Sequence, residues 1–262
     1  MRAQIALPIE YDCARPADAG TTIPSRPAGP EEGGQRIFDL VVGTLIAVAA
    51  LPVVLIAWAL VRLTSAGPGI YTQVRVGQYG RPFRIYKLRT MYHACEAASG
   101  VRWCQPGDPR VTPVGRVLRR LHIDELPQLW NILAGDMSLV GPRPERPELV
   151  GPLSKALPGY GDRHRLRPGL TGPAQVQLPP DTDLDSVRRK LALDRWYVRS
   201  RSVWLDARLV AVTGLHVCGL PPAVVRRLGR LPSPLGAAAA DALADTVLDT
   251  DAPAPRPDAA AG

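Results

Sequence analysis

Aromatic side chains are scarce, with two Phe, seven Tyr and five Trp in 262 residues, which weakens any case for single-strand nucleic-acid binding by base stacking. The four cysteines stand far apart, at 13, 95, 104 and 218, without a C-x-x-C pair, and His122 and His164 have no metal-ligand spacing around them. That pattern argues against a zinc-ribbon or disulfide framework and fits free thiols in a reducing compartment. No secretory signal is read in Met1–Arg36, which lacks an apolar core, so the polar part of the chain is expected to face the cytosol. Both ends lack apolar periodicity. Residues 1–35 carry prolines at 8, 16, 24, 27 and 30, and residues 221–262 are rich in Ala, Pro and Asp. A disordered leader and a disordered tail are expected, with a short helix around Ala237–Leu248 as the one element the tail could form.

What the chain does have is positive charge and one long apolar run. A net charge of +8 and a pI near 9.7 point to anionic partners: nucleic acid, phosphorylated small molecules or an anionic membrane surface. Between Leu40 and Val61 lie 22 residues without a charge. As a helix these reach about 33 Å, the thickness of a bilayer's hydrocarbon layer. Pro52 sits near the middle, where its missing N–H and its ring would cost an ordinary helix about 3 kcal/mol. Arginines at 2, 15, 26 and 36 precede the run, and Arg62, Arg75, Arg81, Arg84, Lys87 and Arg89 follow it. Positive charge on both sides suits a Pro-broken, re-entrant helix that enters and leaves by one face; an ordinary kinked span is the alternative.

Downstream, Ile70–Val76 and Pro82–Lys87 read as strands joined at Gln78-Tyr79-Gly80. Val114, Val117, Leu118 and Leu121 fall at helical spacing with Arg116, Arg119 and Arg120 opposite, so this basic helix lies either at a headgroup layer or on its own core. Residues 185–215 carry another helical pattern, with Trp196, Tyr197, Trp204, Leu205, Leu209 and Val212 as contacts.

The polar chemistry concentrates in three segments. In the first, Asp124-Glu125-Leu126-Pro127, Asp124 is expected to cap a helix and to stay ionised at its N-terminus. Such a pair is either plain capping or a carboxylate nucleophile toward phosphorus, with a second carboxylate suited to Mg²⁺. In the second, Pro142-Arg143-Pro144 presents a guanidinium on a stiff backbone, fitted to paired phosphate oxygens or to a surface turn. The third, Arg163-His164-Arg165-Leu166-Arg167-Pro168-Gly169, looks like anion binding or a basic membrane-facing patch.

Taken together, Lys-Leu-Arg-Thr-Met (87–91), the unbroken 124–145 segment and Arg-Pro-Gly-Leu-Thr-Gly (167–172) resemble the bacterial sugar transferase family, the monotopic phosphoglycosyl transferases. The resemblance runs from about Arg36 to Leu215. It implies a mixed α/β catalytic domain (64–220) facing the cytoplasm, anchored in the inner membrane by a re-entrant helix (36–63) and amphipathic interfacial helices. It further implies transfer of a sugar 1-phosphate from a nucleotide diphosphate sugar to polyprenyl phosphate, through a phosphosugar on Asp124, initiating polysaccharide or glycoconjugate assembly. Asp124 and Glu125 would be catalytic and bind Mg²⁺; Lys87, Arg89, Arg143 and Arg167 would bind substrate. His122 and Pro173 depart from the family's usual residues, a hydroxyl side chain and Trp. The multi-span N-terminal region of larger members is missing, so a minimal catalytic unit is expected. Two rivals stand beside this: a nucleic-acid binder, which leaves the apolar run unexplained, and a membrane-bound adaptor with the same fold but no turnover.

Overall fold

The computed structural model describes residues 30–95 and 107–241. The uncharged run lies inside one helix, α1 (Pro30–Thr64), whose 35 residues extend about 52 Å. The helix is unbroken through Pro52, so the break expected there is not seen as an interruption. It also starts before the expected leader ends, and its first described turns are polar and docked. Gln35 donates to Asp206, and Arg36 donates to the carbonyls of Ile132 (2.6 Å) and Leu133 (2.7 Å). Asp39 accepts from Ser138 Oγ (3.0 Å) and the Leu139 N–H (2.9 Å). Buried polar groups of this kind need partners, and these have them.

Both halves of α1 rest on the same body. Phe38, Val42, Ile46, Ala47 and Ala50 pack on the main core, while Ala57 and Val61 pack with Leu88 and Leu118. Between them Leu51, Pro52, Val53, Leu55 and Ile56 are exposed. A long apolar face with this little cover is unlike the core helix of a soluble protein.

The two expected strands form an antiparallel hairpin, β1 (Ile70–Val76) and β2 (Pro82–Leu88), with Ile70 opposite Leu88 and Val76 opposite Pro82. The turn needs left-handed backbone at Tyr79 (φ 55°) and Gly80 (φ 76°). Helix α2 (Pro113–Arg120) matches its spacing: Thr112 caps it by accepting from the Gly115 N–H (2.9 Å), with Pro113 in the first turn. Leu118 and Val114 turn inward onto Leu88, Ala57 and Val61, while Val117 and Leu121 stay exposed, so the helix serves a core and keeps an apolar outer edge.

A 3₁₀ turn (Ile123–Gln128) leads into α3 (Leu129–Ala134), β3 (Ser138–Val140) and α4 (Pro147–Ala156). A second 3₁₀ turn (Tyr160–Arg165) leads to β4 (Gly169–Thr171), which pairs in parallel with β3. The helical pattern over 185–215 resolves into two helices, α5 (Leu184–Ser200) and α6 (Val203–Val217), because Arg201 leaves the helical region and Ser202 caps the next helix. The main core gathers Ile132, Met137, Leu139, Tyr197 and Leu209, each at most 2% exposed and worth about 1.5–3 kcal/mol where the side chain is aliphatic or Met.

The tail expectation needs correcting. Residues of α7 (Pro222–Gly229) and of a helix over 234–241 are ordered and docked. Val225 joins the main core, and Ala237 packs with Ala174, Ala192 and Leu193. Asp241 accepts from Arg195 (2.8 Å) and Arg199 (3.0 Å). A few apolar positions suffice because each lands on core. The rest of the tail, including most of the helix expected at 237–248, lies outside the described residues, as does nearly all of the leader. Neither Cys95 nor Cys218 forms a disulfide among the described residues; Cys13 and Cys104 lie outside them.

Candidate active site

The carboxylate pair sits on the first 3₁₀ turn, which packs against α1, β2, α2 and α3. Ile123 packs with Ala57 and Val61 of α1, so the residue before Asp124 rests on the apolar helix. Asn131, fully buried, donates to the Arg84 carbonyl (2.7 Å) and accepts from the Tyr86 N–H (3.2 Å). This pair of bonds stitches α3 to β2, the strand that carries Lys87. Asp124 is not a cap. The residue at the N-cap position is His122, in the left-handed region (φ 55°), and Asp124 lies inside the turn.

Lys87, Glu125 and Arg143 come together from three separate segments. Lys87 Nζ donates to Glu125 Oε1 (2.9 Å), Arg143 Nη1 donates to Oε2 (3.1 Å), and Arg143 Nη2 also donates to Oε1. Burial pushes the Glu125 carboxyl up, but the charges and hydrogen bonds of Arg143 and Lys87 outweigh it and hold the group well below the usual glutamate range. Glu125 in turn raises Arg143, and burial lowers Lys87 against the opposing pull of the same carboxylate.

Asp124 is treated differently by the fold. It is 8% exposed, and among the described residues its carboxylate makes no hydrogen bond or ion pair. Burial raises its pKa, and the adjacent Glu125 charge raises it further, against Lys87, Arg119 and Arg143. The expectation that a helix terminus keeps it ionised is therefore reversed in sign: the turn is short, and loss of water dominates. The two carboxylates are thus divided, one locked between cations and one open.

The Arg143 loop is built almost entirely from borrowed donors. Pro142 and Pro144 have no N–H, so the segment is held through its carbonyls. Gln175 donates to the Gly141 carbonyl (3.1 Å), the Gly169 N–H to Pro142 (2.9 Å), and Arg163 to Arg143 (2.8 Å). Arg75 donates to Pro144 (3.1 Å), and the Val76 N–H to Glu145 (2.9 Å). Gly141 and Gly169 are in backbone contact, where a Cβ on Gly169 would stand 2.0 Å from the Gly141 nitrogen.

The remaining expected substrate contacts lie elsewhere. Arg89 is 5% exposed and spends its guanidinium on the carbonyls of Ser65 (2.8 Å) and Ala66 and on Ser65 Oγ (3.0 Å), tying down the chain after α1. Arg167 is half-buried, and its charge lowers the Asp39 carboxyl on α1. The basic 163–167 run is not an anion patch as a whole, because Arg163 and His164 are buried and Arg165 faces water. Sequence reasoning grouped Arg163 with a basic anion-binding or membrane-facing run rather than with the Arg143 carbonyl, and it did not single out Asn131 or Asp194. For Asn131 the signal was a polar residue inside an apolar helix, between Trp130 and Ile132.

Among the described residues no group of three or more His, Cys, Asp or Glu is placed to hold a metal. Mg²⁺ does not require one, since it commonly binds through one or two carboxylates and completes its shell with substrate phosphate oxygens and water. The open carboxylate of Asp124, beside that of Glu125, fits such a site.

Comparison with known proteins gives a consistent picture. The family model described as Bacterial sugar transferase matches residues 31–219. The chain is 42% identical over 208 residues to the UDP-glucose:undecaprenyl-phosphate glucose-1-phosphate transferase of Caulobacter vibrioides, covering 76% of this chain and 78% of that protein. It is 42% identical over 179 residues to the UDP-N-acetylgalactosamine-undecaprenyl-phosphate N-acetylgalactosaminephosphotransferase of Aeromonas hydrophila, covering 68% of this chain but only 42% of that protein. A putative undecaprenyl-phosphate N-acetylgalactosaminyl 1-phosphate transferase of Bacillus subtilis is 44% identical over 147 residues, 54% of this chain and 82% of that one.

Proposed function

This chain belongs to the bacterial sugar transferase family, and from that premise we propose that it moves a sugar 1-phosphate from a nucleotide diphosphate sugar to polyprenyl phosphate. The observation that carries the reading is the division of labour in the carboxylate pair: Glu125 bonded to Lys87 and Arg143, Asp124 buried in the same field and unbonded. An unbonded carboxylate near three cations is placed to attack an anion.

In the first step an Asp124 oxygen attacks the phosphorus that bears the sugar. The bond from that phosphorus to the nucleoside monophosphate oxygen breaks, and the monophosphate leaves with the electron pair. In the second, a polyprenyl phosphate oxygen attacks the same phosphorus and the bond to Asp124 breaks, returning the carboxylate. The product is polyprenyl diphosphate sugar, and neither step needs a proton removed from the nucleophile. Lys87 and Arg143 offer fixed positive charge where negative charge crowds, which favours the transition state without rearrangement. Mg²⁺, held by Asp124 and Glu125 together with substrate phosphate, would supply further neutralisation between the two anions. Relatives named for UDP-glucose and UDP-N-acetylgalactosamine make UDP-sugars the first donors to try. The family suggests that the product initiates polysaccharide or glycoconjugate assembly.

For the membrane, we favour re-entry over spanning, with the catalytic domain on the cytoplasmic side of the inner membrane. Support comes from α1 itself: Gln35 and Asp39 near one end and Ala57 and Val61 near the other touch one domain, while exposed apolar residues run along its outer side from Ile37 to Leu63. A straight span would carry one end across the bilayer, away from that domain. Exposed Trp130 and Trp204, Val117 and Leu121 suit an interface layer around it. The deciding experiment uses purified protein, undecaprenyl phosphate, Mg²⁺ and a panel of UDP-sugars. Nucleoside monophosphate release with matching glycolipid product supports the reading. A folded protein that releases none with any donor would favour an adaptor.

A further inference from the structure

Arg143 presents its fork to Glu125 from a segment that cannot anchor itself by N–H groups at Pro142 or Pro144, so the donors to its carbonyls set where the backbone carrying that side chain stands. The donor on the Arg143 peptide itself is Arg163. Arg163 is 3% exposed and fixed from two further sides, by the Tyr160 hydroxyl (2.8 Å) and by Asp194 (2.9 Å), itself 1% exposed. The planar guanidinium donates from Nη1 to the Tyr160 hydroxyl and from Nη2 to the Arg143 carbonyl, while Asp194 stands beside it as an ion pair without an aligned hydrogen bond; an ammonium in its place keeps the charge beside Asp194 but not the two-pronged geometry. None of these three groups bonds to the Asp124–Glu125 pair, so their influence on the chemistry runs through the backbone of residue 143.

We propose that Arg163 is a positioning residue of the transfer reaction, aiming the Arg143 side chain at the substrate diphosphate by holding the Arg143 carbonyl, with Tyr160 and Asp194 keeping Arg163 itself in register. This rests on the reading of Arg143 as a diphosphate contact. A purely structural Arg163 would weaken the fold, and its loss would lower activity by the same factor whatever stood at 143.

The test is a double-mutant cycle on the full chain in detergent or nanodiscs, with thermal unfolding recorded for every variant. Arg163→Lys and Tyr160→Phe are each made alone and with Arg143→Ala, and UMP release is measured from UDP-glucose and undecaprenyl phosphate. We expect Arg163→Lys to reduce kcat/KM by tenfold or more and Tyr160→Phe by about threefold. In the Arg143→Ala background each should cost less than twofold. Losses that multiply with that of Arg143→Ala overturn the proposal, and if Arg163→Lys fails to fold, the Tyr160→Phe cycle decides alone. If wild-type protein turns over no UDP-sugar, the transfer reading has failed by itself. The same cycle read by calorimetric binding of UDP then tests the positioning role: non-additive weakening supports it, and additive weakening or none removes it.

Discussion

Arg143 grips Glu125 with both prongs of its guanidinium across 18 positions of chain, Nη1 on Oε2 at 3.1 Å and Nη2 on Oε1. Lys87 shares the same carboxylate, so one glutamate organises both cations of the site. The consequence is that Arg143 is oriented before any substrate arrives, and geometry as well as charge is at stake in its replacement.

Arg143→Lys should therefore reduce activity at least tenfold, about 1.4 kcal/mol or more of lost transition-state stabilisation. A lysine reaches one Glu125 oxygen but cannot bridge the pair. Steady-state UMP release measures this. Wild-type kinetics in the Lys variant would reduce Arg143 to a residue of the turn.

Asp124→Asn should leave folding intact and stop turnover. The side chain makes no hydrogen bond among the described residues, so the amide breaks none, while the charge and the nucleophile are lost. In wild-type protein given the UDP-sugar but no polyprenyl phosphate, rapid quenching and mass spectrometry should find a sugar phosphate on the peptide containing Asp124. No adduct, together with UMP release only when both substrates are present, would replace the two-step scheme with direct transfer.

The acid side of the pH profile should also carry the signature of Asp124. Burial, then the Glu125 charge, raise its pKa above 3.8, so a higher pH is needed to ionise it than for a free aspartate. As pH is lowered, adduct formation should therefore begin to fall while the pH is still above 3.8. Glu125 moves the other way. Its folded pKa lies well below 4.5, so the stability from its ion pairs is complete above the unfolded value and is lost as pH falls through the folded one. Quench-flow against pH and thermal melts against pH read the two separately, and an acid limb at or below 3.8 would contradict the environment described for Asp124.

Topology gives the fourth expectation. With the native cysteines replaced, Gly33→Cys and Gly80→Cys should both resist an impermeant thiol reagent until the inner membrane is opened. Pro52→Ala restores the N–H and removes the ring that strains the middle of α1, and should shift part of the population toward spanning, seen as labelling of one site in intact cells. Labelling of position 33 alone in the wild-type background would establish a plain span.

The hairpin and α2 were legible because their apolar residues repeat at two and at about 3.6, and the structure ends those elements within a residue of where the pattern does. The Asp124–Glu125 pair and Arg143 were legible as chemistry, but not their mutual arrangement, because nothing in the spacing says that Glu125 is the residue both cations seize. Strands β3 and β4, three residues each, are too short to show a period. Arg163 was hidden for another reason: a run of basic residues reads the same whether its members face water or turn inward to a buried aspartate. The ordered end of the chain escaped because isolated residues such as Val225 and Ala237 show no face of their own and acquire one only from the core they meet.

The contact between Gly141 and Gly169 bears on how such a site can be altered. The Pro-Arg-Pro segment and the Arg-Pro-Gly-Leu-Thr-Gly segment look like separate words in the sequence, yet their main chains touch where any side chain would collide. They are one casting. A swap intended to change sugar preference that imported residues 141–145 from a relative without 167–172 would bring a backbone whose seat had stayed behind, so the smallest transplantable unit of this site is the two segments together.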